Sequence, residues 1–495
     1  MKNYKLIITL NLCLLASLLI TFSSCKKSFL DKKPTDAIVI QDAIKNDADM
    51  SAALNGLYSS LRATDFYGRT LAIKGDLMAD HCFLSSANSG RYNNLASYTM
   101  VKTDGYASGV WSNSYKAIKN ANLIINSGLA ASSDAISHMY AEAYAIRALV
   151  HFDLCRNYAT PYTKDQNAPG IPIVLAFDQY AKPSRNTVKE VYTQVLADLT
   201  KAFSMAKYNQ GQSMSISGPP ISTRTINSSF IGKYAIRALM ARVYQHMGDW
   251  ANARDASLDV INNSGFTLVS NANFVSYWKG TTPIASKVET LFEVTSDANN
   301  SVGDGTLANL YVSKALGGSY GDILPTKQFY DMHTATDVRK KLYLDTVRSG
   351  QQGRAYCVFK YPIDPNYDDV KILRLSEMYL IAAEAYYNLT VPASANNYLN
   401  LFAVTRDPSV VYNSSGAQIL TDILNERLKE FAFEGYRFWD LTRLQMSFNK
   451  PQGQDATGAI TSNVSVTPST LNVVWPIPND EILVNPNISQ NPGYN

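Results

Sequence analysis

Apolar residues recur at helical spacing in residues 42–62, 110–128, 135–158, 188–207, 229–247, 250–263, 371–389, 393–405 and 417–445. That pattern predicts a mainly α chain. The fourth segment has a defined start. Thr187 stands at the N-cap and Glu190 three residues later, the pairing in which each side chain takes the other's backbone N–H. Between the helical segments lie long stretches rich in Gly, Ser, Asn and Pro, at 81–109, 209–226, 265–326 and 446–495. Few of them alternate strictly between apolar and polar, which excludes a membrane β-barrel.

Two helical segments share a spacing. In "YAIRALMARVYQHMGDWANARDASLDVI", Ala241, Tyr244, Gly248 and Ala253 are separated by three, four and five residues. In "LSEMYLIAAEAYYNLTVPASANNYLNLFAV", Ala383, Tyr386, Thr390 and Ala395 repeat those steps. This resembles the tetratricopeptide repeat, where small residues let two antiparallel helices approach across a tight turn. Gly248 suits a left-handed cap; the second copy departs, with Thr390 and Pro392 around its turn. Helix pairs are expected, but no regular solenoid, because long insertions separate them.

At the N-terminus, Lys2 and Lys5 precede an apolar run from Leu6 to Phe22 that is interrupted by Asn11. The run falls short of the roughly 20 residues of a spanning helix, and a charged start before it is the form of a secretory signal. Ser23 and Ser24 then lead directly into Cys25. The arrangement resembles a bacterial lipoprotein signal, in which the cysteine is lipidated and becomes the first residue. Phe22 departs from the leucine usual three places upstream. An ordinary cleaved signal with an incidental cysteine is the competing reading. The polar segment Lys26–Pro34, which cannot prolong an apolar span, favours lipidation. Two or more acyl chains anchor stably where one does not. The expected organisation is a signal at 1–24, a lipidated tether at 25–40 and one domain over 41–495. Within that domain, helix pairs are expected around 42–128, 135–263 and 371–445, with inserts around 81–109, 265–326 and 446–495.

A chain of 495 residues with 46% hydrophobic and 17% charged side chains can bury a large core. Losing Lys2 and Lys5 with the signal takes the net charge from +4 to +2, which points to neither nucleic acid nor an acidic surface. Beyond the signal's Cys13 and the lipidated Cys25, Cys82, Cys155 and Cys357 are odd in number and irregularly spaced. They indicate neither a disulfide framework nor a zinc site, and read as buried small side chains. Tyrosine is abundant, 31 residues against 5 tryptophans, and joins a flat apolar face to a hydroxyl.

Several longer stretches carry a more specific resemblance. They are "CKKSFLDKKPTD" at 25–36, "AEAYAIRALVHFDLCRNYATPYT" at 141–163, "GIPIV" at 170–174 and "PSRNTVKEVYTQVLADLTKA" at 183–202. "ILRLSEMYLIAAEAYYNL" at 372–389, "ILNERLKEFAFEGYRFWDLTR" at 423–443 and "WPIPNDEILVNPNISQNPGY" at 475–494 complete the set. Together and in this order they resemble the SusD/RagB family of nutrient-binding surface lipoproteins. The resemblance implies a right-handed stack of four tetratricopeptide-like helix pairs with a large irregular portion packed on one side. It also implies a non-catalytic lid on a TonB-dependent outer-membrane transporter that captures oligosaccharides, or in some members peptides, for import. Surface export in such bacteria is often associated with acidic residues close behind the lipid cysteine. Here Lys26, Lys27 and Ser28 stand there and the first acid is Asp31, so an outward orientation rests on the family resemblance.

No catalytic constellation stands out. His81, His138, His151, His246 and His333 are scattered, without an HExxH pair, and no GxSxG, P-loop or Rossmann pattern is present. His151 and His246 fall in helical segments and read as packed. Glu426, Glu430 and Glu434 share one helical stripe, unlike glycosidase carboxylates that flank a bond from opposite faces. They are expected to pair with Arg427, Lys429, Arg437 and Arg443 as solvated or packed ion pairs. "DANNSVGDG" alternates oxygen ligands at Asp297, Asn299 and Ser301 but puts Val302 where an EF-hand loop needs glycine and Ala308 where it needs glutamate. "DPNYDD" at 364–369 fails similarly at Asp369, so turn chemistry is the better reading of both and no cofactor is expected.

Sugar sites combine aromatic faces with polar side chains on loops. Two irregular stretches have that mixture. One provides Arg91, Tyr92, Asn93, Asn94 and Tyr98, followed by Trp111; the other provides Trp278, Tyr311 and Tyr320. A glycan-binding surface lipoprotein is the leading expectation. Peptide capture, a helical-repeat adaptor without its own nutrient, and a lipid-anchored hydrolase are the alternatives.

Overall fold

The computed structural model describes residues 43–218, 221–280, 287–364 and 367–494. The signal and the tether, Cys25 included, lie outside the described residues. Several helices begin at a side-chain cap. Asn46 accepts from the Asp49 N–H at 2.9 Å to start α1, Asp47–Ser60. After α2, Thr70–Leu77, Asp104 caps α3, Gly105–Ile125, and Ser133 caps α4, Asp134–Tyr158. The expected capping box forms at α5, Val188–Met205, where Glu190 Oε2 accepts from the Thr187 N–H at 2.7 Å and Thr187 Oγ1 accepts from the Glu190 N–H at 3.2 Å.

Further along are α6, Lys233–Met247, and α7, Trp250–Asn263, then α8, Leu375–Asn388, α9, Pro392–Ala403, α10, Gln418–Phe431, and α11, Arg437–Arg443. Sequence neighbours pack on one another: α3 on α4, α4 on α5, α6 on α7 and α8 on α9, while α7 meets α8 across the long intervening stretch. The chain is mainly α, with stacked helix pairs carrying a loop-rich portion, and one apolar cluster runs through helices from both halves. α4 lies at its centre and is buried almost all round.

The two repeat-like segments form helix pairs. Ala241, Ala253, Ala383 and Ala395 are fully buried where the helices approach. Gly248 takes the left-handed cap at φ +75°. Thr390 occupies the matching turn at φ +60° with its side chain exposed. A β-branched residue pays roughly 1–2 kcal/mol there, while glycine loses somewhat more backbone entropy on folding. Thr390→Gly should therefore stabilise the protein by about 0.5–1 kcal/mol, read as a higher thermal midpoint.

Three expectations need correction. The segment 417–445 is two helices, because the backbone turns at Phe433 (φ +67°) and Gly435 (φ +84°). Their N–H groups donate to Asp76 on α2, at 3.0 and 2.7 Å, instead of continuing the helix. α2 itself escapes a periodicity search because nearly every one of its residues is buried, so no polar stripe marks it. The irregular stretches contain short antiparallel pairs: β1 (Cys82–Leu84) with β5 (Ile323–Pro325), β2 (Ser213–Ile216) with β3 (Ser222–Thr225), and β4 (Thr290–Val294) with β8 (Val370–Arg374). β6 (Tyr343–Thr346) pairs with β7 (Ala355–Val358), and β9 (Phe448–Gln454) with β10 (Ile460–Val466). β4 and β8 are buried on both faces and so do not alternate, which is why residues 371–374 pass for the start of a helix.

Candidate functional site

The two loop segments singled out by composition meet in space. The Ser85 N–H donates to the Asp322 carbonyl at 2.7 Å, and Ser89 gives its N–H and hydroxyl to the Asp322 carboxylate at 2.9 and 2.5 Å. Arg348 clamps both sides of the junction, donating to the carbonyls of Gly321 (2.6 Å), Tyr320 (2.7 Å) and Ala87 (2.8 Å). Over this frame the Arg91 guanidinium lies 4.0 Å from the centre of the Tyr320 ring and donates to its hydroxyl at 3.2 Å. Both side chains remain partly open to solvent.

Next to this pair the backbone is strained. Tyr92 (φ +59°) and Tyr98 (φ +58°) both adopt the left-handed conformation, flanking the single helical turn Asn93–Ala96. Bulky residues there cost of order 1–3 kcal/mol each and persist when their surroundings over-determine them. Those surroundings are explicit. The Tyr92 hydroxyl accepts from Arg69 Nε at 2.9 Å and bonds Thr70 Oγ1 at 2.9 Å, and its ring stacks on Tyr106 at 4.1 Å and 20°. The Tyr98 hydroxyl donates to the Met78 carbonyl. Burial pushes the Tyr92 phenol up to about 12, so it stays neutral. Arg69 also donates to the Gly305 carbonyl at 3.2 Å, and Ser319 donates to Asp304 at 2.8 Å on the exposed side. The result is a rigid platform with Arg91, Asn93, Asn94, Tyr106 and Tyr320 reaching solvent.

Of the expected ligand residues, then, Arg91, Asn93, Asn94 and Tyr320 lie on this platform. The other five rings are buried and have no face free for a sugar. Tyr92 supports the platform from beneath, and Tyr98 anchors its loop. Trp111 packs within α3 against Tyr115 and Tyr158 and donates to Glu481 at 3.3 Å. Trp278 sits under Lys360 (4.3 Å), Lys371 (4.5 Å) and Arg374 (5.2 Å), and Tyr311 packs against Tyr361 and Phe433. In each case the apolar surface of a large ring was better spent in the core. Arg69, Tyr106 and Arg348 were missed, since a lone arginine or tyrosine beside a loop has no distinguishing pattern.

The glutamate stripe also needs correction. Glu426 meets Lys429 as expected, but its other partners are Arg339 (2.9 Å) and Tyr412 (2.6 Å). Glu430 meets Arg374 and Arg406, and Glu434 meets Lys360 and Arg374. Arg427 pairs with Asp440, Arg437 with Asp80, and Arg443 with Glu384 and Asp440. All three glutamates are buried, so of the solvated and packed alternatives the packed one holds, with different partners. All five histidines are buried as well, and burial pushes His151 and His333 down to about 4. Among the described residues no three His, Cys, Asp or Glu side chains gather to hold a metal. Asp297 instead accepts the N–H groups of Asn299 and Asn300, at 2.9 and 3.0 Å, in a turn, and Asp368 accepts from the Leu307 N–H at 2.5 Å.

Two family models match the chain: one described as the SusD family, over residues 363–494, and one described as starch-binding associating with outer membrane, over residues 28–212. The chain belongs to the SusD/RagB family. Among its SusD-like relatives, a protein of Formosa agariphila is 26% identical over 552 residues, with 100% of both chains covered. Crystal structures of SusD superfamily proteins from Bacteroides thetaiotaomicron and Bacteroides vulgatus match with TM-scores of 0.79 and 0.80, at 27% and 26% identity. They cover 90% and 91% of this chain, and 100% of each solved chain is covered in return.

Proposed function

We propose that this SusD-family protein is a non-catalytic, lipid-anchored surface protein that binds oligosaccharide and delivers it to a TonB-dependent transporter of the outer membrane. The observation that carries the binding step is the platform, where an arginine–tyrosine pair and exposed asparagines are held on a clamped, strained loop. Rigid placement reduces the ordering cost of capturing a flexible glycan. The faces of Tyr320 and Tyr106 not covered by Arg91 and Tyr92 would meet sugar C–H groups, while Arg91, Asn93 and Asn94 would supply hydrogen bonds to hydroxyls. The family description as starch-binding and associating with outer membrane supports both the ligand class and the location. Acyl chains on Cys25 would hold the domain at that membrane. Transfer to a transporter needs no chemistry from this chain, and the buried, ion-paired Glu426, Glu430 and Glu434 offer none to a glycosidic bond.

Glycan-array screening followed by calorimetry on the strongest ligand tests the binding step. Arg91→Ala combined with Tyr320→Ala should weaken binding by about 1–3 kcal/mol, roughly 5- to 150-fold, without lowering the thermal midpoint. Unchanged affinity would overturn the assignment. Metabolic palmitate labelling that disappears in Cys25→Ser, together with protease access on intact cells, tests the anchor and its orientation.

A further inference from the structure

A second concavity lies at the other end of the loop that supports the platform. It has a volume of about 220 Å³, room enough for a pyranose ring. Its walls come from the C-terminal half of α1, the turn at 229–230 and β4 with Thr295. The apolar side is Phe230, half-exposed and fixed by Arg224, whose guanidinium lies 4.0 Å from the ring centre, and by Tyr58, which meets it edge-on at 5.3 Å and 75°. The polar side is Asn55, Arg62, Ser229 and Thr295.

These polar groups are unusually free. Among the described residues the Arg62 side chain makes no hydrogen bond and no salt bridge. Its charge is felt by the exposed Asp297, whose carboxyl is held below its usual range first by the Asn300 amide and more weakly by Arg62. Ser229 donates to Asn227 at 2.6 Å, which leaves its oxygen able to accept. Glu293, also in the wall, is committed elsewhere: Lys287 (2.6 Å) and the Ser228 hydroxyl (2.5 Å) donate to one oxygen and Lys371 stands 3.8 Å from the other. An aromatic wall facing unspent donors and acceptors, in a space the size of one sugar ring, is a saccharide site by composition.

The pocket is tied to the platform through residues 61–70. Leu61 and Arg62 line the pocket, and the loop folds back tightly, with Gly68 N–H on the Ala63 carbonyl at 3.2 Å and Thr70 N–H on the Thr64 carbonyl at 3.0 Å. Arg69 then reaches the platform at Tyr92 and Gly305. We propose that this pocket is a second saccharide subsite that takes a single terminal pyranose ring, with Phe230 under the ring and Asn55, Arg62, Ser229 and Thr295 on its hydroxyls. The proposal rests on the reading of the protein as glycan-binding and adds to it a place for a chain end or branch.

Saturation-transfer NMR on the full chain tests it with methyl α-D-glucopyranoside, methyl β-D-galactopyranoside and methyl β-D-xylopyranoside as probes. Asn55→Trp fills the mouth from an exposed helix position, and Arg62→Ala removes the free guanidinium; thermal unfolding checks that both variants remain folded. Transfer from at least one glycoside should appear on the wild type, persist in the Arg91→Ala, Tyr320→Ala double variant, and fall at least tenfold in both pocket variants. Transfer that survives both pocket variants, or that none of the three glycosides shows on the wild type, overturns the subsite. Loss in the platform variant with survival in Asn55→Trp places the sugar on the platform alone. Glycoside transfer confined to the pocket, with polysaccharide retention in affinity gels unchanged by the platform variant, instead overturns the platform.

Discussion

Arg374→Met is expected to destabilise the protein by about 3–5 kcal/mol, because it removes one partner from a buried ionic cluster. The Arg374 side chain is fully buried. It donates to Glu434 at 2.8 and 2.7 Å, to Glu289 at 2.5 Å and to Glu430 at 2.7 Å. Methionine fills much of the same volume, so the loss comes from charge rather than from a cavity. Three carboxylates would be left sharing Arg406, Arg339 and Lys360, in a region where water cannot replace the missing guanidinium. Arg374→Lys keeps the charge without the fork and should fall between the two. Guanidinium denaturation reads the difference, and a variant within 1 kcal/mol of wild type would show that the cluster contributes nothing net.

The same cluster sets an acid limit. Burial alone would push the Glu430 carboxyl up, but Arg406 and Arg374 outweigh it and hold the group well below its usual range. For Glu426, Arg339 and Lys429 outweigh burial and bring it down to about 2. A depressed carboxylate contributes stability that is fully present above its unfolded pKa of about 4.3 and is lost as pH falls towards the folded value. Denaturation midpoints should therefore drop between pH 4 and pH 2, and the gap between wild type and Arg374→Met should narrow over the same range.

Gly75→Ala should cost about 3 kcal/mol or more. A Cβ built at position 75 would stand 2.0 Å from the Gly435 carbonyl oxygen and 2.6 Å from its Cα, both backbone atoms that cannot swing away. Overpacking alone costs about 1–3 kcal/mol, occasionally more. Here the forced separation would also stretch the two bonds from Phe433 and Gly435 to Asp76, and a buried N–H without a partner costs about 1–3 kcal/mol. Circular dichroism melting reads the loss; a midpoint equal to wild type would mean that α2 and the 433–435 turn separate more easily than their contact suggests.

Helices were legible in the sequence where one face stayed wet and a cap marked the end, as at Thr187–Glu190 and Gly248–Asp249. α2, β4 and β8 were not, because burial on every side erases the period by which such elements are recognised. The candidate site was half legible. Loop composition located both segments, and Arg91 and Tyr320 came from that reading. It could not separate the exposed Tyr320 from the buried Tyr311 or Trp278, since aromatic residues serve packing and recognition with the same surface. The partners of Glu430 and Glu434 were invisible for a related reason: a charge on a helix looks solvated until distant arginines are folded onto it.

By itself the sequence determined the helical character of the chain, the repeat-like helix pairs and the family to which the chain belongs. These depend on local spacing and on words read in order along the chain. Tertiary structure decided which rings face solvent, which acids are neutralised in the core, and that residues 85–98 lie against 303–322. Those outcomes depend on contacts between residues hundreds of positions apart, such as Ser89 with Asp322, and a one-dimensional pattern contains no record of what a side chain meets once the chain has closed on itself.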